Sequence, residues 1–463
     1  MEASNFFGWR GVIRYIMKEN AIPYRMVLNP MRQIISILFI ALILGSDLAF
    51  PQQAVDLTLQ HALQVAQATH PLLAEGQAGI EIQHGVETQA RSAELPQINY
   101  NSSYARANSR GSAFGQSQVF TTYVSEFSLN QLLYDFGRTP ELVRASHEQV
   151  IAAQETYQYD LQQVLFGVYQ DYYQLLEAKA NVQVQQENVT DLKEHLEQAK
   201  TFFQVGTQPK IDVTQAESNL SNGQLTLVQA ENTFAISQTN LKTAMGDPNF
   251  PPFVVNEELK EPFDFSITLD DAVKEAYQHR QDLLALIAQE LSAEASLNAT
   301  EKDYFPAFTA SAGAGNIGST YYPYSSVWNL GVQFSVPLFN GFLTAGEIQQ
   351  AKGTLHNLQA QVDNQRLTVR QAVEQAYNNL VSARTSLNVA RDGLQYAKEN
   401  FELANGSYRV GTVNYVQYTD AENAYVLAKS NLITALGNYN IAIASMEEAM
   451  GTLTATNGTG AKP

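Results

Sequence analysis

The sequence predicts a mostly α-helical chain with a smaller β part. Long supercoiled helices build a trimeric α-barrel, and each chain lends four strands to a shared 12-stranded transmembrane β-barrel, the whole pattern being internally duplicated. Three observations predict this: one very long heptad stripe, two segments of alternating apolar and polar residues, and the return of both further along the chain.

Ile348, Leu355, Val362, Val369, Ala376, Ala383, Ala390, Ala397 and Ala404 recur every seven residues. A second stripe, four residues out of step, holds Val373, Leu380, Leu387, Leu394, Phe401 and Tyr408, and no proline falls between Pro337 and Pro463. An ideal helix drifts by ~20° per heptad, so a stripe of this length implies a left-handed supercoil. About sixty helical residues span roughly 90 Å, far more than a small domain. Two seams on one helix ask for neighbours on two sides, as in a ring of staves.

The first long helix repeats the beat with Leu161, Val168, Leu175, Val182, Val189, Leu196 and Phe203. Other pairs recur with it: Leu57-Thr58-Leu59 as Ile267-Thr268-Leu269, and Leu95-Pro96 as Phe305-Pro306, 210 residues on. Beyond a shortened hairpin the offset is 205: Val205-Gly206-Thr207 returns as Val410-Gly411-Thr412, Ala216-Glu217 as Ala421-Glu422, and Met245-Gly246 as Met450-Gly451. The expected organisation is an N-terminal extension and signal peptide (1–49) and a first repeat (50–246) with a hairpin near 96–133, a long helix near 139–204 and a return helix near 211–245. A Pro-rich linker (247–266) leads to the second repeat (267–451), with a hairpin near 306–339, helices near 344–406 and 413–450, and a flexible tail (452–463).

Ile34 to Leu44 is the one long apolar run, preceded by Arg25 and Arg32 and followed by Gly45 and Ser46. It is too short to span a bilayer and suits a secretory signal, with cleavage expected between Ser46 and Phe50. The net charge of −18 excludes a nucleic-acid partner, and the absence of cysteine excludes disulfides, a thiolate nucleophile and lipidation at an N-terminal cysteine.

In the hairpins, Trp328, Leu330, Val332, Phe334, Val336 and Leu338 alternate with polar or small residues, and Val119, Thr121, Tyr123, Ser125, Phe127 and Leu129 do so less cleanly. Transmembrane strands alternate in this way, as do half-buried strands of a soluble sheet. Gly/Ser/Asn-rich tips (Asn108–Ser117, Gly313–Ser319) favour the membrane. Four strands cannot close a barrel and an open edge is not viable in lipid, so chains must share one. Two chains would fill the barrel with side chains; three leave a hole.

Leu133-Tyr134-Asp135-Phe136-Gly137-Arg138, at the strand-to-helix junction, resembles the signature of TolC-family outer-membrane efflux and secretion channels. Val336-Pro337-Leu338-Phe339-Asn340-Gly341 is similar to the second-copy version, with Phe342 and Leu343 in place of its usual Gly-Arg. The resemblance covers Leu57 to Gly451. It implies a homotrimeric tunnel in outer-membrane lipid, its 12-stranded barrel continuing into a periplasmic α-barrel. That tunnel would take cargo from an inner-membrane pump of the RND, ABC or MFS class through a periplasmic adaptor. It also implies that the tips Val205-Gly206-Thr207 and Val410-Gly411-Thr412 dock the adaptor. Asp212 and Asp420 match aspartates lining the family's periplasmic gate; Gln417 stands where a third is usual. Tyr408 matches a tyrosine that hydrogen-bonds across the mouth, here toward Asp212. Val413 replaces the basic residue of the family's closed-state lock. Asp212 also has an ordinary reading as a helix N-cap or first-turn acid.

The seven histidines are scattered, with no i,i+3 or i,i+4 pair, and no catalytic cluster, cofactor motif or metal site is expected. The rival reading is a non-transporting trimeric coiled-coil scaffold or adhesin anchored in the outer membrane.

Overall fold

The computed structural model describes residues 55–110, 117–262, 265–322 and 325–455. The expected signal segment, the centre of the first hairpin's tip (111–116) and the chain beyond 455 lie outside them.

A two-residue strand, Val55–Asp56, which pairs with Phe253–Val254, opens the described chain, followed by two helices, α1 (Leu59–Thr69) and α2 (Pro71–Ser92). Thr58 caps the first by accepting from the His61 amide, and Pro71 starts the second at the position where its missing N–H costs nothing. A hairpin of β1 (Gln97–Arg110) and β2 (Ser117–Tyr134) follows, then α3 (Arg138–Gln204) and its return α4 (Lys210–Ala244). The same succession runs through α5 (Leu269–His279), α6 (Gln281–Glu301), β3 (Ala307–Gly318), β4 (Ser325–Ser335), α7 (Leu343–Arg409) and α8 (Tyr415–Met450). α3 and α7 are each 67 residues long, about 100 Å of helix. Between α4 and α5 the proline-rich stretch is not loose: Phe250, Phe253 and Val255 are buried, and Lys179 on α3 donates to the Val255 carbonyl at 2.6 Å.

The four strands form one antiparallel sheet in the order β1-β2-β3-β4. Register places Ile98 opposite Leu129, Leu129 opposite Ala312 and Ala312 opposite Leu330; one row along, Tyr100, Phe127, Ala314 and Trp328 align in the same way. In these two rows one face is apolar across all four strands; the next row outward on that face, Ser102, Ser125, Asn316 and Ser326, is polar. The other face carries Asn99, Ser128, Gly313 and Asn329, and beyond them Asn101 and Glu126. Every residue of β4 is exposed, Trp328 at 80% and Leu330 at 75%. Among the described residues, β1 and β4 each have one unpaired edge.

The second hairpin departs from expectation at both ends. Gly313 to Gly318, read as tip, belong to β3, because Gly313 and Gly315 leave room for Glu126 on the neighbouring strand. At the far end β4 stops at Ser335, two residues before Pro337, which has no N–H to donate to a ladder.

One core cluster lies among α5, α6, α7 and α8, with Val362, Val369, Val373, Ala376, Leu380 and Leu387 against Tyr439, Ala442, Met446 and Met450; the first repeat buries Leu63, Leu165, Val168, Tyr172, Leu175 and Leu241 as completely. Both heptad stripes of α7 thus face the same core. The outward seam is a third one, Val389, Tyr396 and Leu403, seven residues apart and 65–67% exposed. Leu225, Val228 and Ile236 are likewise exposed on α4.

Candidate functional site: the helical tips

The two tips are built alike. At the end of α3 the Gly206 amide donates to the Phe203 carbonyl and the Thr207 amide to that of Phe202, both at 3.0 Å. At the end of α7 Gly411 donates to Tyr408 and Thr412 to Ser407, again at 3.0 Å, and each threonine hydroxyl bonds the same carbonyl as its own amide. This is the Schellman closure, which needs a left-handed residue after the cap; Gly206 has φ 78° and Gly411 φ 76°. A Cβ on either would meet nothing within 4 Å, so the glycines serve backbone conformation and not packing. Val205 and Val410, 67% and 74% exposed, lead the chain round each tip.

Just inside the tips all four long helices converge. Leu196 and Ala199 of α3, Ala216 of α4, Tyr408 of α7, and Tyr415 and Tyr418 of α8 bury one cluster, joined by Val213, Leu220 and Phe401. Tyr408 stacks on Tyr418, ring centroids 5.2 Å apart and 25° from parallel. Burial raises the phenol of Tyr415 to about 12, opposed by a bond from Asn219 and aided by the charge of Glu422.

The expected gate residues fall into separate positions. Asp212 is a half-buried acid in the first turn of α4, behind an N-cap at Pro209, where the helix dipole favours it. The Tyr408 hydroxyl pairs with the Gln208 side chain at 3.5 Å and not with Asp212. Asp212 reaches it only as a charge, adding to the burial that raises its pKa. The stack on Tyr418 fixes the ring, and Gln208, on the loop between Gly206 and α4, is what the hydroxyl meets. Gln417 closes a capping box: its amide donates to Asn414 Oδ1 at 2.8 Å, and its side chain accepts from the Asn414 amide at 3.4 Å. Asp420 lies one turn further into α8, exposed. Sequence reading passed over this box, although Asn-x-x-Gln after a glycine turn is its signal. His195 shares the face of Leu192, Leu196 and Ala199, and its ring packs on Tyr418.

The junction motif anchors the other end of α3. Leu133 and Tyr134 are exposed and Asp135 is buried. The Asp135 carboxylate accepts from the amides of Gly137 (3.2 Å) and Thr139 (2.7 Å) and from the Thr139 hydroxyl (2.5 Å). Phe136 and Gly137 both have positive φ, and Phe136 stacks on Phe305. Arg138 pairs with Asp303, tying the motif to the chain just before β3. At the equivalent point Asn340 Nδ2 donates to the buried Thr344 hydroxyl at 2.7 Å, and Gly341 and Phe342 take the left-handed pair with glycine and phenylalanine exchanged.

A four-stranded sheet carried on helices about 100 Å long is a fold this chain shares with solved outer-membrane channels. The solved Campylobacter jejuni CmeC outer membrane channel superposes with a TM-score of 0.72 at 18% identity, over 87% of each chain. By sequence, the outer membrane efflux protein family matches residues 62–247 and 272–452, and the chain belongs to that family. It is 26% identical to the outer membrane efflux protein BepC of Brucella suis over 75% of each chain. It is 24% identical to the outer membrane protein TolC of Escherichia coli, over 85% of this chain and 82% of the relative. The protein is an outer-membrane exit duct with a periplasmic portion.

Proposed function

We propose that three copies close one passage: a 12-stranded barrel in the outer membrane and, continuous with it, a periplasmic α-barrel of twelve long helices. Each chain is then an internal duplication (50–246 and 267–451) donating one third of the wall. The sheet carries this reading. It has a face with two apolar rows running across all four strands for lipid, a more polar face for a lumen and two edges that would lack backbone partners in a bilayer, so β4 of one copy pairs with β1 of the next. The outward seam of α7 (Val389, Tyr396, Leu403) and the exposed apolar side chains of α4 supply the matching helix contacts between copies.

In this arrangement Asp212 and Asp420 form rings of like charge at the periplasmic mouth, favouring cations and repelling anions. The tips at Val205–Thr207 and Val410–Thr412 receive a periplasmic adaptor, which couples the duct to an inner-membrane pump of the RND, ABC or MFS class. The duct itself conducts passively, either for a tripartite efflux pump or for type I secretion. Fractionation tests the assembly: the mature protein is expected in outer membranes as a trimer that falls to monomer on boiling in detergent. A soluble monomer in the periplasmic fraction would overturn it.

A further inference from the structure

Beside the mouth residues lies a buried group of titratable side chains that the mouth reading does not use. His195 of α3 meets Tyr418 and Glu422 of α8. The Tyr418 hydroxyl hydrogen-bonds His195 Nε2, the two rings are edge-on at 4.7 Å, and Glu422 Oε1 lies 3.6 Å from the same nitrogen. Tyr418 is fully buried and Glu422 is 3% exposed. His195 Nδ1 and Glu422 Oε1 are enclosed without a hydrogen-bond partner. The corresponding residue of the other return helix, Glu217, is exposed, so this burial is particular to the α3–α8 contact.

The neighbourhood is acidic. α3 brings Asp191 and Glu194 toward His195, Asp191 and Tyr415 act on the α8 pair, and Asp212 of α4 and Tyr408 of α7 act on Tyr415. Lys429, the nearby lysine of α8, is engaged by Glu187 at 2.9 Å and lies over the Tyr425 ring. His195 is thus the basic side chain that Glu422 faces, and a buried carboxylate with no cation fixed beside it is costly unless it takes a proton.

We propose that His195, Tyr418 and Glu422 form a latch that holds α8 against α3 while the mouth is shut, with His195 and Glu422 responding to pH in opposite directions. The proposal rests on the tips being the mouth of the duct. Burial, with Asp191 adding and the neighbouring Tyr418 hydroxyl opposing, raises Glu422 from 4.5 to about 7. When α8 moves away, water reaches the carboxyl and its ordinary affinity returns. The packed state therefore binds this proton more tightly and gains as pH falls through 7. From pH 8 to pH 6 Glu422 alone favours packing by about tenfold. His195 behaves in reverse: burial lowers its pKa against the raising effects of Gln198, Asp191 and Glu194, so acid favours the separated state.

The test uses the absence of cysteine in the chain. Ala421→Cys places a single thiol beside Glu422 at a residue 4% exposed. Its alkylation in the purified full chain is followed at pH 6, 7 and 8, with rates divided by those of a free small-molecule thiol. Adding His195→Gln should make alkylation about tenfold slower at pH 6 than at pH 8. Adding Glu422→Gln should make it faster at pH 6, and the parent should change less than the His195→Gln form. One shared pH profile for all three overturns the latch. Should either variant fail to assemble, Tyr418→Phe decides, since it removes only a hydroxyl: faster reaction than the parent at pH 7 is expected, and an equal rate refutes the proposal. No current is read, so the outcome is independent of whether the aspartate rings gate conduction.

Discussion

Replacing Asp135 by alanine should unfasten the first turn of α3 while the rest of the chain stays folded. The carboxylate holds two backbone amides and one hydroxyl, and Thr139, which supplies two of the three donors, is 4% exposed. Loss of a helix-capping side chain costs about 1 kcal/mol, and up to about 2 in proteins. A buried donor left without a partner costs about 1–3 kcal/mol more. Taken together the local opening free energy should fall by about 2–5 kcal/mol, which at 1.4 kcal/mol per tenfold is between about 30-fold and about 4,000-fold faster exchange. Hydrogen–deuterium exchange of the peptide spanning 137–143 in purified protein reads this directly. Asp135→Asn, which keeps one acceptor oxygen, should fall between wild type and alanine. Exchange within threefold of wild type in the alanine variant, or equal loss in both variants, would refute the claim that this carboxylate anchors the helix.

Gly246 and Gly451 have positive φ, and a Cβ there would stand 2.6 Å from His70 Cα and 2.5 Å from the His279 carbonyl oxygen. Alanine at either should lower the thermal midpoint followed by far-UV circular dichroism more than alanine at Gly206 or Gly411, where only backbone strain of about 1–2 kcal/mol is added. Arg280→Leu leaves the half-buried Asp282, bonded at 2.9 and 2.7 Å, and Glu448 without their cation, a loss of about 1.5–3 kcal/mol seen as a lower urea midpoint. Asp212→Ala with Asp420→Ala should raise single-channel conductance and weaken cation selectivity; unchanged currents would dispose of the acidic mouth. Val205→Asp with Val410→Asp should abolish co-purification of the adaptor without disturbing the trimer, and undiminished co-purification would place docking elsewhere.

Helix and strand are legible here because their periods are long and unbroken. Val362, Val369, Val373, Leu380 and Leu387 must face one way for burial to occur at all, and Trp328, Leu330, Val332 and Phe334 must share a face of β4. Glycine at the tips is equally plain, since few other residues accept φ near 77°. What the sequence hides is set by tertiary neighbours. A histidine one step from a leucine stripe reads as solvated until Tyr418 covers it. Tyr408 could have met Asp212 had the loop after Gly206 not put Gln208 closer. Two heptad stripes on α7 suggested partners on two sides, yet both enter the same core, because α5, α6 and α8 together wrap more than one face. The seam that remains, Val389, Tyr396 and Leu403, is sparser and was masked by the stronger pattern beside it.

Whether three such chains enclose a passage is tested most directly by adding the purified mature protein to a planar lipid bilayer under voltage. Discrete, uniform current steps that prefer cations are expected, arising from a species that runs as a trimer until heated. A preparation that stays monomeric in aqueous buffer and leaves the bilayer silent would contradict the shared-wall duct.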